Sequence, residues 1–81
     1  LNINYLDSNF DYTQMYVMRR FLLKGIDLSK YINHQFSQQA MIIIGEIILH
    51  NIDVTPLLDP RLTYQELNDI KKTIKERNNL N

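Results

Sequence analysis

The chain has no cysteine and no tryptophan, only two glycines and two prolines, and no excess of charge of either sign, since nine Lys+Arg stand against nine Asp+Glu. Without cysteine, neither a disulfide framework nor a thiolate zinc site can support it, so its stability has to come from packing. With 44% hydrophobic and 22% charged residues it reads as an ordered globular chain. A net charge of zero removes any global attraction to nucleic acid or membrane and leaves only local patches. The longest near-apolar run, Ala40 to Leu49, is broken by Glu46 and is about half a membrane span, so no membrane partner is expected. No leader is visible, and a cytoplasmic location is expected. At 81 residues the chain makes one small domain, too small for a Rossmann sheet or a barrel enzyme. It begins at Leu1 without methionine, which reads as an excised fragment or a processed product.

What is present is an internal repeat. At an offset of 26 residues Phe10 aligns with Phe36 and Leu62, Met15 with Met41 and Leu67, Met18 with Ile44 and Ile70, and Leu22 with Ile48 and Ile74. Ile26-Asp27-Leu28-Ser29 matches Ile52-Asp53-Val54-Thr55, and Tyr5-Leu6 stands one period before Tyr31-Ile32. The expected organisation is the tail of a preceding unit over 1–9, unit one over 10–35, unit two over 36–61 and a capping unit over 62–81. A period of this length means a stacked array in which each unit buries its apolar side on its neighbours.

The spacing predicts an all-α fold, a small α-solenoid with helices at 11–24, 37–50 and 63–77. Asp11, Ser37 and Thr63 are equivalent N-caps, Gln14 and Glu66 complete capping boxes, and Phe10/Met15, Phe36/Met41 and Leu62/Leu67 have the spacing of hydrophobic staples. Gly25 and Asn51 share the slot where a left-handed residue ends a helix. Between helices, Asp27 and Asp53 are placed to cap 3₁₀ turns at Leu28–Tyr31 and Val54–Leu57, and Asn33-His34 and Asp59-Pro60 read as turns.

The helix faces assign positions in the stack. The second helix is apolar over most of its circumference, with only Glu46 and His50 as a polar ridge, so it is expected to be internal, with Ile44 and Ile48 central. The third carries a narrow Leu67, Ile70, Ile74 stripe and reads as the polar cap of the array. The first adds Tyr16, Val17, Phe21 and Leu23 to its apolar arc, which predicts an interface at the open end, covered by upstream repeats, a second copy of the chain or another protein.

The segment Gln14-Met15-x-x-Met18-Arg19-x-x-Leu22-x-x-Gly25-Ile26-Asp27-Leu28-Ser29-Lys30-Tyr31, followed by Phe36-Ser37, resembles a short repeat of Firmicutes proteins and their mobile elements, in which Gln-Met, Ile-Arg and Gly-Leu-Asp-Val-Ser recur at similar spacing. The resemblance covers roughly 10–60. Gly45 departs from it, standing where Arg19 would recur. It implies a helical repeat and brings no activity with it.

Catalytic chemistry has little to rest on. Glu46 and His50 are four apart on one face, but two ligands are too few for a stable metal site, and His34 lies in a turn. Asp27 and Asp53 hold identical places in successive units, which favours capping over acid–base work. No phosphate loop, nucleophile elbow or Cys/His pair is present, so neither enzyme activity nor a cofactor is expected. The basic residues Arg19, Arg20, Lys24, Lys71, Lys72 and Lys75 are candidates for nucleic acid, and the tyrosines could stack on bases, although Tyr5 and Tyr31 are expected between units. Against this, the outward pairs Arg20/Lys24, Glu46/His50 and Lys72/Glu76 alternate in sign rather than forming a track. The leading expectation is a non-catalytic module for protein interaction or self-association within a larger protein, with a nucleic-acid-binding repeat of a mobile-element or phage protein as the alternative.

Overall fold

A computed structural model of the chain describes residues 9–80. Among these residues the fold is all-helical: α1 spans Tyr12–Leu22, α2 Gln38–Leu49 and α3 Tyr64–Arg77, with 3₁₀ turns at Leu28–Lys30 and Thr55–Leu57. α1 packs on α2 and α2 on α3, while the first turn lies back against α1 and the second against α3. The Tyr5-Leu6 match falls outside the described residues.

The helices begin where their side chains satisfy first-turn N–H groups. Asp11 Oδ1 accepts the Gln14 N–H at 2.7 Å while Gln14 Oε1 accepts the Asp11 N–H at 2.8 Å, and Thr63 and Glu66 form the same reciprocal pair at 3.1 and 2.8 Å. Ser37 accepts the Ala40 N–H at 3.1 Å, and Ala40 has nothing to return. The helices end earlier than 24 and 50 because their last turn tightens: the Lys24 N–H donates to Phe21 and the His50 N–H to Ile47, three residues back rather than four. Gly25 (φ +88°) and Asn51 (φ +61°) then turn left-handed, and the following Ile26 and Ile52 N–H groups fold back onto the same Phe21 and Ile47 carbonyls. α3 closes in this way at Asn79 (φ +57°), two positions beyond the repeat register, so it is the longest of the three.

The two connections share most of their hydrogen bonds. Asp27 and Asp53 each accept the N–H two residues on at 3.1 Å and the hydroxyl of the same residue, Ser29 or Thr55, at 2.6 and 2.7 Å. Asn33 and Asp59, also 26 residues apart, each accept an N–H two residues on at 2.9 Å. One difference has a covalent cause. The first 3₁₀ turn opens with a Lys30 N–H to Asp27 bond, and Pro56 at the equivalent position has no N–H, so the second turn starts a residue later.

The core is built from repeat-equivalent positions. Met18, Leu28, Met41, Ile44, Ile47, Leu57 and Leu67 are fully buried. Ile44 is central as expected; Ile48 is only partly buried, and Ile47 is fully buried in its stead. Met41 and Leu67 are sealed, whereas their equivalent Met15 is half-buried. Tyr31 does not pack between units: it is 41% exposed, while its counterpart Leu57 is completely buried.

Candidate docking face on the first helix

α1 divides its apolar residues between two opposite faces. Gln14, Val17, Met18 and Phe21 point into the molecule and are buried. At about 100° per residue, Tyr12, Tyr16, Arg19 and Leu23 fall within about 60° of one another on the opposite side. There Tyr12 is 82% exposed, Tyr16 56% and Leu23 84%. The expected interface set is therefore corrected: Tyr16 and Leu23 are on the open face, but Val17 and Phe21 are buried toward α2, and Tyr12 joins the open face in their place. Tyr12 does not stand out in the repeat because its equivalent on the second helix is the polar Gln38.

Phe21 reaches α2 at Gly45. A methyl group on Gly45 would lie 2.5–2.7 Å from three atoms of the Phe21 ring, so the glycine is what lets the ring seat there. This accounts for the departure from the repeat at Gly45: a ring on one helix goes with the loss of a side chain on the next.

Gln14 also does more than its capping box requires. It is the one buried polar residue among those described, and its Nε2 donates to the carbonyls of His34 (2.9 Å) and Phe36 (2.7 Å) in the approach to α2. The side-chain amide thus closes the N-terminus of α1 with its oxygen and ties unit one to unit two with its nitrogen. Ala40 and Glu66, at the equivalent places, have no side-chain N–H to give.

Of the six basic candidates, Arg19, Arg20, Lys24 and Lys72 are exposed and Lys71 and Lys75 half-buried. Arg20 lies over the Tyr16 ring at 5.9 Å and Lys24 over Phe21 at 5.7 Å. Lys24 and Lys75 line one groove with Glu46, Ile47, Leu49 and His50, so the fold brings cations from its two outer helices to an acidic residue on the middle one. Glu46 also borders the groove between α1 and α2, with Tyr16, Val17, Arg20, Phe21 and Lys24 on one wall and Gln38 and Ile42 on the other. Among the described residues no group of three or more His, Cys, Asp or Glu could hold a metal ion, and no helix is long and apolar enough to cross a membrane. The shifted acids belong to turns and caps. Asp11 is held below its ordinary pKa by the Gln14 N–H and then the Thr13 hydroxyl, Asp53 by the Thr55 hydroxyl and N–H, and Asp59 by Arg61.

No family model, curated protein or solved structure matches this chain.

Proposed function

We propose that the chain is a non-catalytic helical-repeat module that binds a helix of a protein partner, or of a second copy, on the outer face of α1. The supporting observation is one of register. On α2, the residues Gln38, Ile42 and Glu46 border the groove with α1, and Gly45 takes its Phe21 ring. The residues 26 positions earlier are Tyr12, Tyr16, Arg20 and Arg19. The surface by which one unit receives its predecessor is thus repeated on α1, with large apolar side chains exposed on it. Clusters of this kind on a folded domain mark interaction sites. The resemblance to a Firmicutes and mobile-element repeat, with a cytoplasmic setting, belongs to the same proposal.

The test is selection of displayed random peptides on the immobilised chain, counter-selected on a Tyr12→Ser/Tyr16→Ser/Leu23→Ser variant. Enriched peptides that lose binding to the variant support the reading. No enrichment, or peptides indifferent to the variant, would contradict it. The second reading, nucleic acid, draws on the shared Lys24 and Lys75 groove and on exposed tyrosines beside Arg19 and Arg20. Its mark would be retention on heparin at moderate salt, lost when Lys71, Lys72 and Lys75 become Gln.

A further inference from the structure

The charges around the open face, and the way the same surface is occupied one unit along, narrow its occupant. From Tyr12 to Gly25, α1 and the turn that ends it carry Arg19, Arg20 and Lys24 and no acid. At the filled junction the charges are complementary: Arg20 and Lys24 of α1 border the groove together with Glu46 of α2. On the open face the residue in the place of Glu46 is Arg20, so the sign of the receiving surface is inverted. A helix that docks there in the manner of the repeat must carry acids where α1 itself carries Arg20 and Lys24.

Residue size gives a second constraint. Phe21 seats only because Gly45 has no side chain, and on α1 that place belongs to Arg19. At the next junction the repeat register pairs different residues. There Lys71 holds the place of Gly45, and the residue in the place of Phe21 is Ile47, which is fully buried. A long cationic stem in the receiving position goes with an aliphatic residue from the incoming helix.

Resting on the docking reading above, we infer that the outer face of α1 binds an amphipathic helix of another protein that presents aliphatic residues flanked by Asp or Glu. A second copy paired α1 to α1 does not meet the condition, because the segment from Tyr12 to Gly25 has no acid to set against Arg19, Arg20 and Lys24. Nucleic acid meets the charge but not the rest. Leu23 is the most exposed large apolar side chain of the patch, and a phosphate track has no use for it.

The experiment uses two helix-forming peptides of about 15 residues with leucines at i, i+4 and i+7, one flanked by Glu and the other by Lys. A single-stranded oligonucleotide is the third probe. Binding is read by fluorescence anisotropy at an ionic strength of about 0.15 M. The Glu peptide should bind about tenfold or more tighter than the Lys peptide. An Arg19→Glu/Arg20→Glu variant, checked for folding by circular dichroism, should reverse that preference. Equal binding of the two peptides, lost in the Tyr12→Ser/Tyr16→Ser/Leu23→Ser variant, overturns the acidic partner and leaves the docking reading intact. Binding of the oligonucleotide with neither peptide bound overturns both, as does the absence of any binding. Wild-type dimers in light scattering that are lost in the serine variant would name a second copy and also overturn the inference.

Discussion

Single residues decide how the helices meet. Gly45 is a poor helix former, and at an exposed site replacing it by Ala would stabilise α2 by about 1 kcal/mol. Here the sign should invert. The added methyl meets the Phe21 ring, so Gly45→Ala is expected to cost roughly 1–3 kcal/mol. Phe21→Leu in the same background should recover part of that loss, a coupling that thermal melts of the two single variants and the double variant would expose. Additive losses would show that the ring and the glycine are not partners. The glycine is plain in the sequence as a break in the repeat, but its reason is not, because the ring that needs the space comes from another helix. The same holds for Gln14. Its capping role follows from local spacing, whereas its two bonds to the carbonyls of His34 and Phe36 depend on how the next unit folds back.

At the scale of elements most of the structure was legible, because caps and turns are local chemistry. Asp11, Ser37 and Thr63 start the helices, and Gly25 and Asn51 close the first two. The third stop at Asn79 lies off the register that made the others visible, and the proline shift of the second 3₁₀ turn follows from one missing N–H. The caps also carry a pH dependence. Since the folded pKa of Asp11 is lowered, its contribution to stability is present above the unfolded value and is lost as pH falls from about 4 through the folded value. Asp11→Asn keeps a capping oxygen and removes the charge. Below about pH 4 its melting temperature should therefore fall less steeply than that of the wild type. Parallel curves for the two proteins would show that Asp11 contributes no acid sensitivity.

For the whole molecule, periodicity indicated a stack of helices, and the structure shows three of them in sequence order with matching hydrogen bonds in both connections. The position of the open face was only half legible. An apolar arc on a helix says how much is buried but not on which side the neighbour lies, so one arc in the sequence takes in Val17 and Phe21, buried toward α2, Tyr16, exposed at the rim of the α1–α2 groove, and Leu23 on the far side. Sorting them takes the α1 to α2 packing, and that packing underlies the central proposal, that the α1 surface bearing Tyr12, Tyr16, Arg19 and Leu23 is a binding face. Titrating the nitrogen-15-labelled chain with the Glu-flanked peptide and following backbone amide shifts tests this most directly. The account predicts shifts concentrated between Tyr12 and Lys24, with the α3 amides near Lys71 and Lys75 unmoved; shifts centred on α3, or none at saturating peptide, would contradict it.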